Sequence, residues 1–101
     1  MNTAHALYEE LLRAIAPIGE FQVEEKKTSI HLVRRTAFAG VHFRKDAILV
    51  TIKSREPLPA RHGMKQERVS ANRWHNDVRV ESAEEIAGIV EWVRDAYSLS
   101  E

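Results

Sequence analysis

Between Thr28 and Arg55 the apolar residues alternate with polar ones through three successive runs, TSIHLVRR, AFAGVHFR and AILVTIKSR, each rich in β-branched or aromatic residues. That period of two is the signature of half-buried strands. The gaps constrain the fold further: Arg35 to Ala37 and Arg44 to Asp46 leave room only for tight turns. Strands joined by so few residues pair antiparallel, because a parallel crossover needs about a dozen residues or more.

The flanks change period. Ala4, Leu7, Leu11, Ile15 and Ile18 recur at steps of three and four, which predicts an amphipathic helix with Asn2 or Thr3 as its cap and Pro17 and Gly19 as its stop. At the other end Ser82, with Glu85 three residues on, makes a capping box before the apolar stripe of Ile86, Ile89, Val90, Val93 and Tyr97. Between strands and second helix, residues 56 to 73 (EPLPARHGMKQERVSANR) follow neither period. They read as a long connection, a short helical turn around Met64 to Val69, or part of a functional edge. WHNDVRV, residues 74 to 80, then reads as a fourth strand.

The order helix, three strands, loop, strand, helix predicts one α+β domain over residues 1–101. It is a two-layer sandwich, an antiparallel sheet of about four strands with the N- and C-terminal helices packed on one face. Successive strand residues point to opposite sides, so Ile30, Leu32, Ala39, Val41, Phe43, Ile48, Val50, Ile52, Val78 and Val80 are assigned to the helices, with Trp74 and Asn76 on that same side. The opposite, open face then carries His31, Val33, Arg35, Phe38, His42, Arg44, Leu49, Thr51, Lys53, Arg55, His75, Asp77 and Arg79. Trp92 belongs at the edge of the core, and Trp74 anchors the long loop or lines a pocket at the start of the fourth strand.

Charge is distributed in the same pattern. Fifteen basic and fifteen acidic residues cancel overall. Residues 1–25 nevertheless carry one basic against five acidic side chains and residues 80–101 one against six, whereas residues 26–79 carry thirteen against four. A basic sheet between acidic helices points to an anionic partner, which includes nucleic acid and a second copy of the chain as a homo-dimer. The absence of cysteine excludes disulfides and thiolate metal sites. No run approaches the roughly 18 apolar residues of a membrane span, and the N-terminus has no signal-peptide pattern, so a cytoplasmic protein is expected.

Several chemistries are open to this face. Cations beside an aromatic ring suit single-stranded nucleic acid. His31, His42, His75 and Asp77 are residue types that hold zinc or iron, but they lack a metal-motif spacing, and no cofactor motif is present. His75 beside Asp77 resembles a base with its orienting carboxylate, although no nucleophile motif or phosphate-cradling loop accompanies it. The residues chosen as ligand-binding are Arg35, Phe38, His42, Arg44, Lys53, Arg73, Trp74, His75, Asp77 and Arg79.

The stretch ERVSANRWHNDVRVESAEEIAGIVEWVRDAY, with His75, the pair Val78 and Val80, the Ser82 to Glu85 helix start and the Ala96-Tyr97 ending, resembles the closing segment of a bacterial family, domain of unknown function 5655. VEEKKTSIHLVRRTAFAGVHFRKDAILVTI is similar to that family's Lys-rich lead-in, first strand and hairpin, including the Phe38 position. The likeness spans roughly residues 5 to 98 and implies an α/β sandwich. Some family members carry transport-protein labels or occur beside nuclease-like domains, which favours a binding module by analogy. The Lys26-Lys27 and Arg34-Arg35 pairs would fit an anion site near the first strand.

Overall fold

A computed structural model describes residues 3–59 and 64–100. Its elements run α1 (Thr3–Ile15), a 3-10 turn (Ala16–Ile18), β1 (Gln22–Glu25), β2 (Ile30–Val33), β3 (Ala37–Arg44), β4 (Ala47–Ser54), β5 (Lys65–Ser70), β6 (Arg73–Val80) and α2 (Ala83–Leu99). The strands form one sheet in the order β1-β2-β3-β4-β6-β5, every neighbouring pair antiparallel. Both helices pack against one face and against each other, enclosing Leu11, Ile15, Leu32, Val41, Ile48, Val50, Ile52, Val78, Ile86 and Ile89.

Six strands stand where about four were expected. The two extra ones, β1 and β5, are the edges, and nearly all of their residues are exposed. A strand that buries neither face has no apolar alternation to display; only its backbone pairing makes it a strand. β5 therefore replaces the helical turn considered around Met64 to Val69. β6 lies between β4 and β5, so strands β4 and β5, consecutive in sequence, are not neighbours in the sheet.

The expected helix boundaries follow their chemistry. The candidate cap Asn2 lies outside the described residues. Beyond Pro17 the chain turns at Gly19, whose φ of 154° suits a residue without a side chain. A Cβ there would also lie 2.5 Å from the Tyr97 hydroxyl, which donates to the Glu20 carbonyl at 2.7 Å. At α2, Ser82 Oγ accepts from the Glu85 amide at 3.3 Å, while the Glu85 carboxylate accepts from the Glu81 amide at 3.1 Å. The returning bond thus reaches one residue further back than the expected capping box.

Ser54, Asn76 and Ser100 are the polar side chains buried among the described residues, and Asn76 is the one with no exposure at all. Asn76 is fully buried on β6, donating to the Ile52 carbonyl (3.0 Å) and Ser54 Oγ (2.9 Å) and accepting from the Leu58 amide (3.3 Å) and Gln66 Nε2 (2.9 Å). All four amide hydrogen-bond positions are occupied. Asn76 thereby ties β4, β5 and the start of the long connection to β6.

Candidate functional site

The open face is built by register. One transverse row runs His31 (β2), Gly40 (β3), Thr51 (β4), Asp77 (β6) and Lys65 (β5). The row on one side sets Lys53 against His75 and His75 against Glu67, and the row on the other sets His42 against Leu49 and Leu49 against Arg79. Because Gly40 has no side chain, the centre of the sheet is dented. A cavity of about 210 Å³ lies over it, lined by His31, Ala37, Ala39, Gly40, His42, Thr51, Lys53 and His75. All three open-face histidines thus reach one cavity, and no carboxylate lines it. Among the described residues, no group of three or more His, Cys, Asp or Glu side chains is placed to hold a metal ion.

Lys53 is half-buried. Burial holds its ammonium below the usual lysine range, and the neighbouring Arg73 guanidinium pushes the same way. Asp77 accepts from Thr51 Oγ1 at 2.6 Å, and that bond orients the carboxylate toward β4. Among the described residues no hydrogen bond joins Asp77 to His75, so their shared face does not make the expected base-and-carboxylate pair. Asp77, His75, Lys65 and Glu67 instead line a neighbouring recess of about 340 Å³. At the end of the sheet, Arg55 and Arg73 meet Glu56 and Asn72 around an open recess.

Of the residues chosen from sequence, His42, Lys53 and His75 line the central cavity, Arg73 acts on it through Lys53, and Asp77 borders it. Arg79 is exposed beside Leu49 and pairs with Glu81 at 3.7 Å. Arg44 sits at the β3–β4 turn donating to the Phe43 carbonyl, and Arg35 lies in the β2–β3 turn, exposed. Both are remote in register from the cavity. Arg34 is committed to Tyr97, its guanidinium 4.3 Å from the ring centroid and donating to the Tyr97 carbonyl at 3.2 Å.

Phe38 changes face, and Trp74, on the face expected for it, does not join the site. Phe38 is buried, 1% exposed, packing edge-on against Phe21 and Tyr97. Leu32 pairs with Ala39 while Val33 pairs with Ala37, so Phe38 is the extra residue of a bulge and turns to the helix side, against simple alternation. Trp74 shares its face with Asn76 and Val78, and lies opposite Ser54, away from the cavity. The open face therefore has imidazoles where a benzyl ring was expected. Gly40 is the determinant that sequence reasoning passes over; its signal is a glycine in the middle of a regular alternation, which marks a missing side chain on one face.

A family model described as a domain of unknown function, number 5655, matches residues 2–100. The chain belongs to this family. Its described residues show the α+β sandwich that the resemblance implied, and no described helix is long and apolar enough to cross a membrane. No curated protein and no solved structure matches the chain.

Proposed function

We propose that this domain of unknown function 5655 is a binding module whose open sheet face takes a small phosphate- or carboxylate-bearing ligand in the cavity over Gly40. The observation that carries this reading is the lining itself: the nitrogen-bearing side chains of His31, His42, Lys53 and His75, with no carboxylate, gathered over Gly40, where the described sheet lacks a side chain. Nitrogen donors around a concave, mostly preformed site are what an anion requires. Arg73 adds positive charge beside it, in a molecule with no net charge to attract anions elsewhere.

A polynucleotide is a less good fit, because the face lost its benzyl ring when Phe38 turned inward. Titration with inorganic phosphate, followed by backbone amide NMR, separates the possibilities. Shifts are expected around residues 31, 40, 42, 51, 53 and 75. Filling the dent with Gly40→Val is expected to weaken binding at least about tenfold, or 1.4 kcal/mol. The new Cβ would meet the Ile30 carbonyl oxygen and Thr51 Cβ at 3.8 Å and His31 Cδ2 at 3.9 Å, ordinary contact distances; Gly40→Ala, which adds that atom alone, is the control for the fold. Shifts that follow the exposed arginines Arg35 and Arg44, or that survive Gly40→Val unchanged, would reject the cavity as the site.

A further inference from the structure

Lys53 stands in an unusual setting for a lysine. Its side chain is half-buried at the wall of the cavity, and Arg73 is the neighbouring charge. His75 lies directly across the strand pair, where facing Cβ atoms are about 5 Å apart. Among the described residues Lys53 has no carboxylate within ion-pair distance; the acids nearest in register are Asp77, held by Thr51, and Glu67, opposite His75 on the far side of β6. An amine that is partly dried and faces another cation keeps more of its population neutral at a given pH, and only the neutral amine is a nucleophile.

We propose that Lys53 is a carbonyl-reactive amine, and that the cavity over Gly40 takes a small aldehyde or ketone bearing an anionic group, with which Lys53 Nζ condenses to an imine. The inference rests on the anion-binding reading for the ligand's charged end. The neutral amine adds its lone pair to the carbonyl carbon, the C=O π bond breaks, and a proton passes from nitrogen to oxygen to give a carbinolamine. Loss of that hydroxyl as water, with proton donation to oxygen and removal of the second N–H proton, forms the C=N bond. No oxidant or reductant is consumed. His75 across from Lys53, with His31 and His42 on the same cavity wall, are the groups placed to relay the protons. The anionic end of the ligand would lie toward Arg73, on the side of the cavity where Lys53 and His75 form their row.

A lysine that merely lies over the sheet to cover apolar surface would react more slowly than the chain's exposed lysines. That contrast sets the test. The folded protein is treated at neutral pH with limiting pyridoxal 5′-phosphate, reduced with borohydride, and mapped by peptide so that the α-amino group is scored separately. Adduct is expected on Lys53 several-fold ahead of Lys26, Lys27, Lys45 and Lys65. Lys53→Arg should lose that adduct and leave the others. With pyridoxal, which has no phosphate for Arg73 to hold, Arg73→Gln should slow capture at neutral pH and restore it at alkaline pH, a dependence that lost packing would not produce. Equal labelling of the five lysines, or Lys53 reacting last, overturns the proposal. Pyridoxal without phosphate and inorganic phosphate alone separate the two readings. Equal capture of both aldehydes on Lys53 would overturn the anionic requirement, while phosphate-induced shifts around Gly40 with no Lys53 adduct would overturn the amine and leave the anion site standing.

Discussion

Asn76 shows what one buried amide can organise. Two of its four bonds go to β4, one to β5 and one to the long connection, and an alanine there would leave the Leu58 amide and the Ile52 carbonyl with fewer partners in a dry layer. Asn76→Ala is expected to cost about 3 kcal/mol, measured as a shift in the urea midpoint at constant slope. Lys53 contributes in the opposite sense. Its folded-state pKa lies below that of the unfolded chain, so in the interval between the two values the unfolded chain binds more protons and stability rises with pH; below that interval the charged form carries a constant penalty. Lys53→Met is therefore expected to raise stability at neutral pH, with the gain over the native chain shrinking above the ordinary lysine range, as followed by denaturation across pH. Both residues illustrate how far sequence reasoning reaches. Alternation places Lys53 on the open face and Asn76 with the core, but nothing in a one-dimensional pattern says that Arg73 will lie beside the amine or that four partners will converge on the amide.

Among the elements, legibility tracks burial. β3, β4 and β6 bury one face, and their residue ranges follow from the alternation almost to the residue. β1 and β5 bury neither, so QVEE and KQERVS have no pattern to read. The bulge at the start of β3 is hidden for a different reason. Ala37, Phe38 and Ala39 alternate acceptably in either register, and only the docking of Phe21 and Tyr97 decides which way the ring turns. The α2 start is legible because capping is local. Removing the acceptor for the Glu85 amide with Ser82→Ala is expected to cost about 1 kcal/mol in equilibrium unfolding. The loss should be smaller if the Glu85 bond to the Glu81 amide compensates, which the double change Ser82→Ala with Glu85→Ala would expose as non-additivity.

For the whole molecule, the segmental charge seen in the sequence becomes a layered one. The helices carry Glu9, Glu10, Glu84, Glu85, Glu91 and Asp95 against Arg13 and Arg94, while the open sheet face and its ends carry Lys53, Arg55, Lys65, Arg73 and Arg79 against Glu24, Glu67 and Asp77. A polyanion should see the sheet side at short range even though the total is zero. Retention on heparin is expected at low salt and should decline steadily as the Debye length contracts from about 10 Å at 0.1 M to about 3 Å at 1 M. Passage without retention at low salt would mean that Glu24, Glu67 and Asp77 already neutralise that side. The strand order has a consequence for biogenesis. β4, the apolar run AILVTI, has its second neighbour supplied by β6, which leaves the ribosome only after the connection and β5 have been made. Throughout that interval the nascent chain presents a bare, aggregation-prone flank, so a polypeptide halted before β6 should bind chaperones more than the finished one does.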